Sequence, residues 1–276
     1  LARIIKEAFH IASTGRPGPV VIDVPVDISK GTAKFVYPDK VSLRGYKPVY
    51  EGHTGQIEKA CKLIEEAKRP VIYSGGGVIL SNASKELRAF VKKTGIPITT
   101  TLLGLGAYPE SDPLSLRMIG MHGTCYANLA VHECDLLIAV GARFDDRVTG
   151  KVSEFAPGAK VIHIDIDPSS VKKNVHVEVP IIGDCKSVLQ KMNEIVKAPE
   201  IGEWVERLMK MKEKNPLTYR DSEKVIKPQY VVEKIYELTK GDAVICTEVG
   251  QNQMWAAQFY DYQEPRTFIS SGGLGT

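Results

Sequence analysis

Short apolar runs alternate with helix-length amphipathic segments between residues 54 and 197, and this alternation constrains the fold more than any other feature. Runs such as Pro70–Ser74, Asp135–Val140 and Lys160–Asp165 are almost continuously apolar, as is typical of parallel strands buried on both faces. Strands that alternate with helices form a parallel sheet, because each right-handed crossover packs its helix back onto that sheet. We therefore predict an α/β fold in which residues 54–197 form a doubly wound, mostly parallel six-stranded sheet.

The segments on either side of this region are too short to be complete domains. An apolar run near the start of the chain, Val20–Val26, predicts a strand that follows a helix. We predict that residues 1–30 are the tail of one α/β domain and residues 31–53 a linker. On the other side, we predict a second linker with a helix at residues 198–227 and the start of another α/β domain at residues 228–276. Both flanking domains would be partial, so we expect the chain to be an internal piece of a longer protein.

The composition is that of an ordinary globular protein and argues against several classes of function. A net charge of +3, from 36 basic and 33 acidic residues, gives no signal for nucleic acid or for an anionic membrane. No run reaches the roughly 18 apolar residues of a membrane-spanning helix. The five cysteines are scattered and odd in number, which favours reduced thiols in the cytoplasm. We expect a cytoplasmic protein without nucleic-acid or membrane partners.

Two histidines and two cysteines lie close together in the sequence and raise the question of a zinc site. They are His122, Cys125, His132 and Cys134, and their spacing fits no common finger or ribbon pattern. Cys134 also stands at the entry of an apolar strand, where a buried thiol is typical. We therefore predict no metal site in this chain.

A dense polar loop follows the apolar run that ends at Val140. It carries Arg143, Asp145, Asp146 and Arg147 within five residues. Open α/β sheets bind ligands outside the carboxyl ends of their strands, and two arginines beside two aspartates suit an anionic ligand that accepts and donates hydrogen bonds. The alternative is a solvated surface loop with Arg–Asp pairs.

Other polar or glycine-rich positions also follow predicted strands. Gly75–Gly77 could let the backbone approach a ligand closely, although a tight turn explains three glycines almost equally well. Asp165 and Asp184 could accept hydrogen bonds from ribose-type hydroxyls, or each could be a helix N-cap. Together with Thr100–Leu102 they all fall at carboxyl ends of strands, whereas chance would scatter them over both ends.

Eight segments, in order and across nearly the whole chain, resemble the acetolactate (acetohydroxyacid) synthase family. They are GRPGPVVIDVPVDI, YSGGGV, TTTLLGLGAYPE, GMHGTCYANLAV, GARFDDRVTG, HIDIDP, GD and TEVGQNQMWAAQF. The resemblance implies a catalytic subunit that depends on thiamine diphosphate and Mg²⁺ and carries FAD in its central domain without a net redox role. Such enzymes condense two 2-oxo acids, pyruvate with pyruvate or with 2-oxobutyrate, and release CO₂ in branched-chain amino acid biosynthesis.

The resemblance also assigns residues to ligands. Arg147 matches the arginine that holds the carboxylate of the second substrate, whereas Asn252 departs from a histidine common in the family, which leaves its role open. Positions that match thiamine diphosphate contacts are Val249, Gly250, Gln251 and Gly275. Positions that match FAD contacts are Arg16, Gly75, Gly76, Gly77, Thr101, Leu102, Met121, His122, Gly141, Ala142, Arg143, Asp145, Val148, Asp165, Ile166 and Asp184.

Two further implications concern the parts of the family pattern that lie beyond this chain. The catalytic glutamate would precede residue 1 and the metal motif would follow residue 276, so we expect the chain alone to be inactive. The parent enzyme would be a homo-oligomer, a dimer or tetramer, with a regulatory small subunit and active sites shared across the dimer interface.

Three alternatives remain open at this point. Another thiamine diphosphate enzyme, such as a glyoxylate carboligase, would share most of these features. A flavin- or nucleotide-binding module without catalysis would use the same sheet edge. A sirtuin-like deacylase would need a catalytic histidine and usually a four-cysteine zinc site, for which the cysteine spacing gives no support.

Overall fold

A computed structural model describes residues 1–273, and the chain divides into two compact units. The first unit ends at Tyr50 and contains helices α1 (Ala2–Ser13) and α2 (Val26–Lys30). Here the prediction of a strand over Val20–Val26 is wrong: the run pairs with no strand among the described residues, and α2 begins at its last residue. A strand needs a neighbour that takes up its N–H and C=O groups, and this run is instead largely exposed.

The second unit begins at Glu51 and contains the other helices and strands of the described residues. Its helices are α3 (Thr54–Glu66), α4 (Gly76–Leu80), α5 (Ser84–Thr94), α6 (Cys125–Glu133), α7 (Asp146–Thr149), α8 (Cys185–Ile195), α9 (Gly202–Lys214), α10 (Pro228–Thr239) and α11 (Gln251–Phe259). Its strands are β1 (Pro70–Ser74), β2 (Ile98–Thr100), β3 (Ser115–Met118), β4 (Leu136–Val140), β5 (Lys160–Asp165), β6 (Val179–Ile182), β7 (Ile245–Cys246) and β8 (Phe268–Ile269). Within residues 1–273, none of the helices is long and apolar enough to cross a lipid bilayer.

Six strands form one sheet in the order β3-β2-β1-β4-β5-β6, and every neighbouring pair in it is parallel. The chain therefore runs outward from β1 to one edge and then from β4 to the other, which is the topology of a doubly wound fold. The predicted six-stranded sheet is confirmed. The order in which the chain adds strands reverses between β1 and β4. At this point, sheets of this kind form a crevice at the carboxyl ends of their strands.

Strand β3 is the strand of this sheet that the sequence analysis missed. It has four residues, and Arg117 within it adopts a left-handed backbone conformation with φ of 59°. Its pairing with β2 also shifts register between Ile98 and Thr100. A short strand with a register shift lacks both the apolar run and the regular alternation that sequence patterns detect.

The sheet is held by two groups of helices. Helix α8 contacts both α3 and α5, and α6 contacts α9. On α9, the buried Trp204 donates its Nε1–H to the carbonyl of Pro70, the first residue of β1, over 3.1 Å. This contact lies at the amino end of β1, at the opposite end of the strand from the loop that follows it.

A second, smaller core joins the C-terminal part of the chain to the sheet. It contains Leu105 and Met118 from the β2–β3 side and Ala257, Tyr260 and Tyr262 from α11 and the segment after it. Strands β7 and β8 form a separate parallel pair. The start of α11, where Val249, Gly250 and Gln251 are predicted to contact thiamine diphosphate, therefore belongs to the same compact unit as the sheet.

Candidate functional site

The loops after β1 and β4 pack against each other backbone to backbone at the point where the sheet reverses direction. Gly75 donates its N–H to the carbonyl of Val140 over 2.9 Å, and Gly77 donates to that of Gly141 over 3.0 Å. A Cβ on Gly75 would lie 2.3 Å from the carbonyl oxygen of Gly141, and one on Gly77 would lie 2.7 Å from its Cα. Gly141 itself has φ of 59°. The tight-turn alternative thus explains these glycines, and their contact with FAD stays a prediction.

The loop after β2 closes this glycine cluster from the other side. Thr101 donates its N–H to the carbonyl of Ser74 over 2.9 Å, and Leu102 begins a short 3-10 turn. A Cβ on Gly76 would meet Leu103 at 3.2 Å. The three loops after β2, β1 and β4 therefore form one continuous edge, on which several of the positions assigned to FAD lie side by side.

Arg143 and Asp145 form an ion pair at this edge. The guanidinium of Arg143 is about half exposed, so it is accessible to a ligand as well as to Asp145. Asp145 is also the N-cap of α7 and accepts the N–H of Arg147 at 3.3 Å. Partial burial would raise the pKa of Asp145, but hydrogen bonds and the charge of Arg143 hold it below its usual value. Asp145 is thus a carboxylate at neutral pH.

Phe144, between these two charged residues, fixes the loop from below. Its backbone has φ of 54°, a conformation that is unfavourable for a side chain with a Cβ. Its ring is buried and contacts the rings of Tyr73, Phe155 and His163, while its carbonyl accepts the Nδ2–H of Asn174 over 2.9 Å. These contacts hold the residue in a strained conformation that leaves Arg143 and Asp145 at the surface.

The segment after β3 reaches the same loop. Met121 donates its N–H to the carbonyl of Arg147 over 2.9 Å, and Gly120 is held through its N–H and carbonyl by Asn128 of α6. The carbonyl of His122 accepts the Nε2–H of Gln258 over 2.7 Å. The structure therefore places Met121 beside the exposed Arg147, and the roles assigned to them at FAD and at the second substrate stay predictions.

Asp165 and Asp184 lie at the ends of the neighbouring strands β5 and β6. Gly183 donates its N–H to the carbonyl of Asp165 over 3.0 Å, which joins the two loops. Asp165 accepts the N–H of Asp167 at 2.9 Å, and Asp184 caps α8 by accepting two backbone N–H groups. The N-cap alternative is therefore correct for Asp184, and each carboxylate keeps capacity to accept further hydrogen bonds.

Other assigned positions are Val249, Gly250 and Gln251 near the start of α11, together with Arg16, Val148 and Gly275. Val249 and Gly250 immediately precede α11, which begins at Gln251. The side chain of Asn252 lies over Gly250, where a Cβ would meet its Oδ1 at 2.6 Å. Arg16 belongs to the first unit, so its role at the FAD site stays a prediction. Val148 is part of α7, in the loop region that also carries Arg147. Gly275 lies outside the described residues.

Among residues 1–273 the structure has no group of three or more His, Cys, Asp or Glu side chains arranged to hold a metal ion. Cys134 is buried and Cys125 is exposed, and His122 lies in the loop that precedes α6. Burial raises the pKa of the Cys134 thiol to about 12, which favours the neutral form over the thiolate that a metal binds.

Two residues that hold the Arg143 loop, His163 and Asn174, were not predicted from the sequence. His163 lies within the run KVIHID of β5, all but the first residue of which is buried. A polar side chain inside a buried strand must find a hydrogen-bond partner, and that signal was available from the sequence. Nothing local to Asn174 indicates its contact with Phe144, which lies 30 positions earlier.

Comparison with protein families finds two matching domain models. Residues 57–192 match the model described as thiamine pyrophosphate enzyme, central domain, and residues 248–276 match the thiamine pyrophosphate enzyme, C-terminal TPP binding domain. The first match covers the helices and strands of the parallel sheet from α3 to α8, and the two together cover more than half of the chain.

Similar proteins from several organisms are named as acetolactate synthases or their large subunits. The chain is 51% identical to the acetolactate synthase large subunit of Corynebacterium glutamicum, over 100% of this chain and 45% of that protein. It is 50% identical to the chloroplastic acetolactate synthase 1 of Zea mays, over 100% of this chain and 44% of that protein. For the large subunit from Buchnera aphidicola the identity is 47%, over 99% of this chain and 49% of that protein. The chain thus spans about half the length of these relatives, and with its two matched domains it belongs to the thiamine pyrophosphate enzyme family.

Proposed function

We propose that the protein to which this chain belongs is an acetolactate synthase large subunit, which condenses two 2-oxo acids and releases CO₂ in branched-chain amino acid biosynthesis. The observation that carries the proposal is identity of about half over the whole chain with proteins of that name. These names favour acetolactate synthase over a glyoxylate carboligase. Because the chain spans about half of each relative, the activity is proposed for the whole protein, and we expect none from residues 1–276 alone.

We further propose that the carboxyl edge of the sheet binds FAD. Its chemistry fits the group: the accessible guanidinium of Arg143 suits a diphosphate, and the carboxylate of Asp165 suits hydroxyl groups on the adenosine side. The loops that carry them, after β4 and β5, belong to neighbouring strands. Glycine packing also lets the backbones of the β1 and β4 loops approach each other closely at this edge.

Arg147 is proposed to hold the carboxylate of the second 2-oxo acid. Its side chain is exposed, and its backbone is fixed by the Asp145 cap of α7 and by the N–H of Met121. A planar guanidinium binds a carboxylate through two parallel hydrogen bonds, which orients the substrate as well as attracting it. The residue would thus act in carboligation rather than in the first decarboxylation.

Thiamine diphosphate would supply the stabilised carbanion chemistry that this condensation needs, with Mg²⁺ as the anchor of its diphosphate. Val249, Gly250 and Gln251 at the start of α11 are the described positions proposed to contact it. We also propose a cytoplasmic homo-oligomer with a regulatory small subunit. The large-subunit names of the relatives support a small-subunit partner, and the five free cysteines fit a reducing compartment.

The function is tested with the full-length protein by measuring CO₂ release and acetolactate formation from pyruvate in parallel. We predict that Arg147→Ala lowers the acetolactate yield at least about tenfold more than it lowers CO₂ release, because the second substrate binds after the first CO₂ has left. Arg207→Ala is the control, since Arg207 is another exposed arginine and lies on α9, where it pairs with Glu133. Equal losses in both products would remove Arg147 from the second-substrate site.

FAD binding is tested separately, by titrating FAD fluorescence with the wild-type chain and with Arg143→Ala. Loss of a charge-assisted contact typically costs about 1.5–3 kcal/mol, so we expect affinity to fall roughly ten- to a hundredfold. Arg207→Ala is again the control, because its guanidinium and that of Arg143 are similarly exposed and ion-paired. Identical affinities of Arg143→Ala and the wild type would contradict the assignment of Arg143.

A further inference from the structure

His163 is a fully buried histidine on β5 whose hydrogen bond identifies its tautomer. Its Nε2 lies 2.8 Å from the carbonyl oxygen of Ala142, in the loop that carries Arg143 and Arg147. A carbonyl oxygen only accepts hydrogen bonds, so Nε2 must carry the proton and donate it. The Ala142 carbonyl belongs to a buried residue, and the imidazole supplies its hydrogen bond.

The same ring contacts a second element of the candidate site. Its Nε2 lies 3.6 Å from Oδ2 of Asp165, the carboxylate at the end of β5. The ring also packs edge-on against Phe144, with centroids 5.0 Å apart. One imidazole therefore lies beneath both the Arg143 loop, to which it is hydrogen-bonded, and the Asp165 carboxylate, without reaching the surface itself.

The other ring nitrogen shows that packing alone does not explain a histidine here. Nδ1 is buried and has no hydrogen-bond partner among the described residues. A buried polar atom without a partner destabilises a fold, whereas an apolar side chain among the surrounding aromatic rings would not carry that cost. Compared with an apolar residue, the histidine adds the Nε2–H that donates to the Ala142 carbonyl.

From this geometry we infer that His163 is a positioning residue for the cofactor edge: its Nε2–H holds the Ala142 carbonyl and so sets the loop that carries Arg143, Asp145 and Arg147. The inference rests on the proposed FAD site and deepens it. His163 itself does not touch the ligand, because it lies beneath the loop.

The test compares three variants of the chain. His163→Phe keeps an aromatic ring and deletes the donor, and His163→Gln restores an N–H of similar reach. Trp204→Phe is the matched control, since it deletes another buried ring N–H that donates to a carbonyl, but at the amino end of β1. Each protein is measured by FAD titration, by thermal unfolding, and by hydrogen–deuterium exchange of the amides of Val148, Thr149 and Gly150, which bond back to Asp145 and Asp146.

We expect His163→Phe and Trp204→Phe to lower the melting temperature similarly. Only His163→Phe should weaken FAD binding, by about tenfold, and speed exchange at the three loop amides, and His163→Gln should recover most of both. If His163→Phe binds FAD and exchanges like Trp204→Phe, the inference is wrong. If the wild type does not bind FAD, the proposed FAD site fails, and unchanged exchange in His163→Phe would still overturn the role of His163.

Discussion

The buried carboxyl group of Glu110 sets a pH dependence of stability that can be measured. Glu110 is 2% exposed; its Oε2 accepts the N–H of Tyr262 over 2.9 Å, and its own N–H donates to the carbonyl of Tyr262 over 3.0 Å. Its Oε1 has no partner among residues 1–273. Burial raises the pKa of Glu110 to about 8, although the charges of Arg117 and Lys212 oppose the change and only Asp261 adds to it.

The sign of the effect follows from the raised pKa. The folded protein keeps a proton that the unfolded chain, with a pKa near 4.5, releases as the pH rises. The contribution of this group is therefore fully present below pH 4.5 and is lost as the pH rises to about 8. At about 1.4 kcal/mol for each pKa unit, the free energy of unfolding falls by about 3 kcal/mol at pH 7 and by about 5 kcal/mol above pH 8.

Glu110→Gln isolates this contribution, because glutamine keeps the shape of the side chain and cannot ionise. Its amide leaves an N–H unpaired, which costs about 1–3 kcal/mol at every pH. We therefore expect the variant to be less stable than the wild type at pH 5 and more stable by about 2–4 kcal/mol at pH 8.5. Urea unfolding at several pH values, followed by the fluorescence of Trp204 and Trp255, measures both curves.

The control is Glu206→Gln, which removes a fully exposed carboxylate that pairs with Lys210. It should leave the slope of stability against pH close to that of the wild type. The reasoning is refuted if the wild type and Glu110→Gln have parallel curves between pH 5 and 8.5, since the buried carboxyl group would then titrate as it does in the unfolded chain.

Two further predictions concern the loops of the candidate site. Gly75→Ala places a Cβ 2.3 Å from the carbonyl oxygen of Gly141, so we expect a loss of about 3 kcal/mol in a thermal melt, and an unchanged melt would show that these loops can separate. Asp184→Ala should cost about 1 kcal/mol in urea unfolding through the lost cap of α8, whereas Asp184→Ser should retain most of it; equal losses would mean that the cap contributes little.

Much of the sheet could be predicted from the sequence because its central strands are buried on both faces. Every residue of β1 and β4 is buried, so their apolar runs are continuous and carry a strong signal. The strand at Val20–Val26 was predicted on the same type of run, but an apolar run specifies extended backbone and not a partner strand. Strand β3 went undetected because its pairing depends on a register shift with β2, which is a non-local property.

The residue types of the candidate site could also be predicted, since parallel strands end at one edge and bring their loops together. The contacts between those loops could not. The N–H of Met121 bonds to the carbonyl of Arg147, and the N–H of Gly183 bonds to the carbonyl of Asp165, through backbone groups that every residue except proline possesses. Sequence patterns carry no information about which of many identical groups will pair.

In the loop between β4 and α7, exposed residues carry the charges and buried residues fix the backbone. Its charges lie at the surface, where an isolated Arg–Asp pair adds little to stability and has no fixed direction. Direction comes instead from the buried neighbours of these charges: Phe144, between them, has a left-handed conformation, and the carbonyl of Ala142, before them, accepts a hydrogen bond from His163. Strain of this kind persists only where surrounding contacts determine the backbone, and here those contacts are an aromatic cluster and two side-chain hydrogen bonds. The sequence motif therefore depends on its apolar and buried members as much as on its arginines, because without them the guanidinium groups would have no defined position relative to Asp165.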